Sequence, residues 1–394
     1  MSAPAKPRLA YIDNVRIFLS MLVVAHHAGQ PYGHDGWWLY QSQLKSQWIG
    51  LFFSVNEAFF MGLFFLIAGY FHPGSLDRKG PLKFVLDRLW RFGVPIAVMV
   101  LGITPIFMYF HDIIWKHMEL TSYLDYYLGA YLGILAPPAG WTGPKGPNQE
   151  FVHLWFIENL FIYGCVYALY RTFAGARDQK PKALPQEPIA PATAHWALVK
   201  LVLWLTVSTY LIRIWKSVDD WKVLLGFWEI EFAHLPQYVT MFVLGLMAAR
   251  RNWFTRFPAK AGFVWLGIGI VCVGLCFARG VGFNFPFWNG GADPIAILRA
   301  TWESFLCVGF CAGLLTLTRE RFPGQTPFTK ALSDSSFAVY IFHVPVVTLL
   351  QYWLSDSGLG PFELFVVISV LGILISFPLA HYVLRRLPIL GKAL

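Results

Sequence analysis

Long apolar runs broken by short polar stretches dominate the chain. Ten such segments can be read, at roughly 14–32, 50–71, 92–110, 152–172, 197–215, 235–250, 261–279, 295–317, 336–354 and 362–384. Each lies near the ~20 residues that an α-helix needs to cross a bilayer. A lipid-embedded chain satisfies its backbone groups within helices, so the pattern predicts an all-α polytopic membrane protein with about ten transmembrane helices. The first segment differs from the rest. It carries Asp13 and Arg16 at its start and His26 and His27 near its far end. No small-residue cleavage site follows it, so it reads as a retained helix.

Between the runs, Tyr123–Leu135 repeats Tyr, Leu and Ile with few charges, which suits an interfacial helix. Ala136–Pro147 is rich in Pro and Gly and reads as an irregular connector. The stretch 175–191 is rich in Pro, Ala, Lys and Gln and reads as a flexible cytoplasmic linker. No internal repeat is evident. Residues 1–394 are therefore expected to form a single transmembrane domain.

Composition sharpens this picture. Charged residues are only 13% of the chain against 56% hydrophobic ones, and mean hydropathy is +0.52. Soluble domains carry about 25% charge, so an ordinary soluble globule is excluded. The net charge of +9 could suggest nucleic acid, but its distribution points elsewhere. With the N-terminus inside and ten crossings, 23 of the 31 Lys and Arg fall in inside segments and 8 in outside ones. This is the positive-inside bias of a multi-pass inner-membrane protein with both termini cytoplasmic. No nucleic-acid partner is needed to explain it. The five cysteines all lie in apolar runs. The i, i+4 pairs Cys272/Cys276 and Cys307/Cys311 have no His or acid at ligand spacing, so no metal site is expected and core packing accounts for them.

Ionisable groups within apolar segments are candidates for function. They include Arg16, His27, Glu57, Glu158, Glu303 and His343. Arg16 and His27 are eleven residues apart, about three helical turns, so they share a face with a rise of ~16 Å between them. His26 points about 100° away and reads as a polar residue at the outer water boundary. A buried histidine reached from an Arg-lined cytoplasmic mouth suits acyl transfer from acyl-CoA. Arginines can hold the nucleotide phosphates, and a neutral imidazole can act as general base on an acceptor hydroxyl. Phe84, Arg88, Arg91 and Pro95 form F-x3-R-x2-R-x3-P, which places two arginines on one face at the start of the third span. Positive-inside anchoring would also explain those two arginines.

Several blocks together resemble the integral-membrane acyltransferase 3 family. Asp13-x-x-Arg16 followed by ten residues and His27 is similar to the opening signature of that family. Phe64-Phe-Leu-Ile-Ala-Gly-Tyr-Phe71, the F-x3-R-x2-R-x3-P segment, His153-Leu-Trp-Phe156 and Tyr340-x-x-His343-x-Pro345 resemble later blocks, in the family's order. Within the family, the Asp-Asn-Val-Arg opening and the Asn284–Gly291 region look most like the glucan biosynthesis branch. The resemblance implies an O-acyltransferase that moves an acyl group, acetyl or succinyl, from cytoplasmic acyl-CoA to a hydroxyl of a cell-envelope glycan or glucan on the outer side. It implies no permanently bound cofactor, with acyl-CoA as donor substrate. It also implies His27 as catalytic base, or as a transient acyl carrier. Arg16 would orient His27 or contact donor phosphate, Asp13 would fix Arg16, and Arg88 and Arg91 would bind acyl-CoA phosphates. Glu57, Trp155, Glu158, Tyr340 and His343 remain as further polar intramembrane candidates. For His343, a satisfied interhelical hydrogen bond is the simpler alternative. Sugar stacking by Trp37, Trp38, Trp141 or Trp155 competes with a plain interface-belt role.

Other functions fit a chain of this kind. A secondary transporter or channel-like protein for a small anionic or glycan-related solute would also carry polar groups in about ten helices. It would show repeats and broken helix pairs, and it leaves the Arg-x10-His spacing unexplained. A haem protein with His27 and His343 as axial ligands and a non-catalytic scaffold are further alternatives.

Overall fold

The computed structural model describes residues 9–33, 37–118, 122–143, 151–174, 184–218, 220–224, 228–279 and 290–394. Among these residues the chain is built of helices. In order they are α1 (Ala10–Gly29), α2 (Gln47–Lys79), α3 (Pro81–Ala97), α4 (Thr104–Trp115), the short α5 (Tyr123–Asp125), α6 (Trp155–Ala174) and α7 (Pro191–Arg213). A small antiparallel pair follows, β1 (Trp221–Leu224) with β2 (Trp228–Glu231), in register Trp221 opposite Glu231. Then come α8 (Leu235–Arg251), α9 (Trp253–Arg256), α10 (Ala259–Arg279), α11 (Pro294–Arg321), α12 (Pro327–Trp353), α13 (Pro361–Pro378) and α14 (Leu390–Ala393).

A helix occupies each of the ten apolar segments. By length and apolar composition, seven helical stretches can cross a membrane: 47–79, 81–115, 191–213, 259–278, 294–321, 327–353 and 361–386. The chain is thus a polytopic helical protein. α1, α6 and α8 lie where the sequence pattern places them but are outside that group of seven.

The largest differences from the sequence pattern are at helix ends. α2 continues to Lys79 through Pro73, and α3 starts at Pro81 instead of near residue 92. A polar amphipathic turn can prolong a helix beyond its apolar run, because helical hydrogen bonds do not require apolar side chains. The chain then passes through a wide π-helical turn at Val98–Ile103 into α4. Pro95 precedes this turn and has no N–H for a helical bond, a common cause of such irregularity. The interfacial stretch is helical from Tyr123 through Tyr131 only, with Ser122 Oγ accepting from the Leu124 N–H as its cap. The two-stranded pair has no counterpart in the sequence reading. Most of the 175–191 linker and of the Asn284–Gly291 region lies outside the described residues.

Two compact units can be separated. The first comprises Met1–Ser20, Leu51–Asp87 and Glu158–Asp334, and the second Met21–Gly50, Arg88–Ile157 and Ser335–Leu394. In the first unit, α2 and α8 approach at glycine. A Cβ on Gly69 would lie 2.2 Å from the Phe242 carbonyl oxygen, and one on Gly245 would lie 2.2 Å from that of Leu66. Gly69 belongs to the Phe64–Phe71 block, so that block has a packing reason for its glycine. The same unit holds a buried ionic cluster. Arg213 Nη1 lies 2.6 Å from Glu303 Oε2, and Arg299 Nε donates to Glu303 Oε1 at 2.8 Å. Arg213 Nη2 donates to His234 Nε2 at 3.0 Å, while His234 Nδ1 meets Glu231 Oε1 at 2.6 Å. Glu303 is therefore engaged by two arginines. Arg213 and Arg299 are both buried.

Candidate active site

The second unit gathers three imidazoles. α1 supplies His27, α12 supplies His343, and the turn before α6 supplies His153. The His27 and His343 ring centroids are 4.9 Å apart, as are those of His153 and His343, and His27 to His153 is 5.8 Å. His343 and His153 are buried, whereas His27 is half-buried and reachable. His26, expected at a water boundary, is buried and packs edge-on against His27.

The hydrogen bonds fix where the ring protons sit. His343 Nδ1 faces two carbonyl oxygens, Val339 at 3.0 Å and Tyr340 at 2.8 Å. Carbonyl oxygens only accept, so this nitrogen carries a hydrogen, and in a neutral ring Nε2 then holds a lone pair. His27 Nδ1 lies 2.8 Å from that Nε2 and must be its donor. The neutral His27 ring is left with its lone pair on Nε2. His343 thus selects the tautomer of His27, as an orienting partner does for a general base.

Around His27, Trp38 stacks with a centroid distance of 5.1 Å and an interplanar angle of 8°. Gln351, fully buried, holds the arrangement together. Its Oε1 accepts from Trp38 Nε1 at 2.9 Å, and its Nε2 donates to the His27 carbonyl at 3.0 Å. His27 is therefore clamped at its ring face and at its own backbone.

The late Tyr-x-x-His-x-Pro block now has a physical reading. Pro345 lies inside α12 and lacks the N–H that would bond the carbonyl four residues back, that of Ile341. His153 Nε2 donates to this freed carbonyl at 2.9 Å. Tyr340, in turn, donates its hydroxyl to the His153 carbonyl oxygen. Tyr340 and His343 are thus joined to the His153 block. Beside His153 is a small cleft walled by Leu39, Met99, Ile103, Phe107 and Pro345, with no Lys or Arg in its lining.

The remaining sequence candidates fall elsewhere. Arg16 Nη1 donates to Asp13 Oδ1 at 3.1 Å, which is the pairing expected of them, in the first unit. Glu158 accepts from the Glu229 N–H at 3.2 Å, and its neighbour Asn159 clasps β2 through Trp228 and Glu229. Glu57 is half-buried on α2, in the electrostatic surroundings of Tyr238. In the second unit, Trp155 packs beside Phe156, whose ring meets Tyr340. The Arg88 guanidinium lies over Phe92 at 5.6 Å and that of Arg91 over Phe337 at 5.1 Å. Sequence reasoning did not single out His153 or Gln351 as site residues, and it weighed Trp38 only as a sugar-stacking or belt residue. The His-Leu-Trp-Phe block was the available signal for His153; Gln351 carried none.

Many apolar helices and a half-buried histidine whose tautomer is fixed by a second histidine define a membrane protein with a candidate acid–base site. The chain belongs to the acyltransferase 3 family, whose acyltransferase domain model matches residues 9–381. Similar curated relatives carry the name "Glucans biosynthesis protein C". Those of Salmonella paratyphi A and Salmonella agona are each 24% identical over 352 residues, covering 88% of this chain and 84% of the relative. That of Salmonella typhi is 24% identical over 354 residues. No solved structure matches the chain.

Proposed function

We propose that this membrane acyltransferase is an inner-membrane O-acyltransferase with ten spans and both termini cytoplasmic. It moves an acetyl or succinyl group from cytoplasmic acyl-CoA to a hydroxyl of a cell-envelope glycan, with glucan favoured by the names of the similar proteins. The observation that carries the reading is the His343–His27 hydrogen bond, which leaves a basic lone pair on a reachable ring.

The steps balance as follows. His27 Nε2 takes the proton of the acceptor hydroxyl as its oxygen attacks the thioester carbonyl carbon. The C–S bond breaks as the tetrahedral intermediate collapses, and the thiolate leaves with the proton from His27 Nε2–H. His343 accepts the His27 Nδ1–H throughout and stabilises the imidazolium, with its own Nδ1–H anchored on two backbone carbonyls. Arg88 and Arg91 hold the donor phosphates, and Arg16, fixed by Asp13, assists at the donor's entry.

A general base contributes roughly 10²–10⁴-fold to rate. His27→Ala should therefore abolish measurable transfer of radiolabelled acyl groups in membranes while sparing expression and donor binding. His26→Ala should be far milder. If His26→Ala removes transfer and His27→Ala does not, the base is misassigned.

A further inference from the structure

We infer that His153 is a second substrate-binding imidazole, and that the preferred acceptor carries two neighbouring hydroxyls, as in the vicinal diol of a sugar. This rests on the reading of His27 as the base.

One ring nitrogen of His153 is left unused. Its Nε2 hydrogen is committed to the Ile341 carbonyl at 2.9 Å, so the neutral ring has its lone pair on Nδ1. That nitrogen is buried and has no hydrogen-bond partner in a side chain only 3% exposed. A buried acceptor left unsatisfied costs free energy that a bound donor recovers. His153 packs within the histidine cluster, 5.8 Å from His27 between ring centroids. The cluster therefore presents two nitrogen lone pairs, His27 Nε2 and His153 Nδ1. Both accept hydrogen bonds, so the ligand they fit offers two O–H donors a short distance apart. One hydroxyl gives its proton to His27 and is acylated. Its neighbour donates to His153 and is not consumed, which sets the position that reacts. A small cleft lies next to His153, lined by Thr104 and Val344 among others.

The test compares acceptors that differ by one hydroxyl. Initial rates with acetyl-CoA are measured for methyl β-D-glucopyranoside and its monodeoxy analogues, and for trans-1,2-cyclohexanediol against cyclohexanol. Wild-type protein should lose roughly tenfold in kcat/KM when the hydroxyl beside the reacting one is missing, mainly through KM. In His153→Phe, and in His153→Gln, which keeps a donor for Ile341, that ratio should collapse towards one. A variant that slows both members of each pair equally and keeps the wild-type ratio would make His153 a brace for α12 and overturn the proposal. So would a wild-type protein that does not distinguish diol from single hydroxyl, which requires no variant at all. His27→Ala is measured in parallel. Retained transfer there would sink the base assignment, while the diol ratio still reports on His153 separately.

Discussion

The two buried polar clusters of this protein have opposite bookkeeping. In the first unit, Arg213, Arg299, Glu303, Glu231 and His234 bond one another with distances of 2.6–3.0 Å. Both arginines bond the same carboxylate, and His234 spends one nitrogen on Arg213 and the other on Glu231. In the second unit, the imidazoles of His343, His27 and His153 also bond inward. Two lone pairs are left over there, and one of the rings is reachable. A polar cluster that pairs all its charges, as that of the first unit does although Arg213 Nε has no hydrogen-bond partner, holds a fold together. One that leaves acceptors unspent is prepared for something absent.

Substitutions in either cluster separate the two roles. The largest stability effect should come from Glu303→Ala, which leaves two buried guanidinium groups without their carboxylate. Removing one partner of a buried pair costs about 3–5 kcal/mol. Thermal unfolding in detergent should shift strongly downward, while the activity of the molecules that remain folded changes little. Selective loss of turnover with unchanged stability would move this cluster into the chemistry. Next is His343→Phe, which removes the ring nitrogen that receives the His27 Nδ1–H. A loss of about 1–3 kcal/mol is expected, appearing in kcat as roughly a five- to hundredfold drop with donor binding intact. An unaffected kcat would reduce His343 to an interhelical bond. A third effect, on binding alone, is expected where cations lie over aromatic rings. Arg88→Ala with Arg91→Ala should weaken acetyl-CoA binding at least about tenfold if the pair holds phosphates. An unchanged dissociation constant, by equilibrium dialysis, would leave these residues as membrane-surface anchors.

Much of the fold was legible because apolar length and helical length coincide in a bilayer. The runs at 197–215, 261–279 and 295–317 differ from α7, α10 and α11 by only a few residues at most ends. Where helices extend past their apolar runs, as α2 does to Lys79, hydropathy stops reporting. The strand pair Trp221–Leu224 and Trp228–Glu231 was missed because two four-residue strands carry too little pattern to register. Within the site, His27 and His343 were visible as polar residues in apolar surroundings. His153 was hidden for a different reason. Its importance depends on a carbonyl freed by Pro345, and the bond it makes spans 188 positions of sequence. A local pattern contains no information of that kind.

The paired carbonyls of Val339 and Tyr340 have a consequence for charge. In many hydrolytic sites a carboxylate stands behind the histidine and absorbs the positive charge that develops on it. Here the group behind His27 is another ring, and behind that ring are two peptide dipoles on α12. A proton gained at one end of this pair is shared electrically along two rings to a turn of helix. Backbone atoms cannot be removed by mutation of their own residues, so the terminus of the relay does not depend on which side chains occupy positions 339 and 340. It depends on the helix remaining wound at that turn, which makes the conformation of α12 itself a reagent of the site.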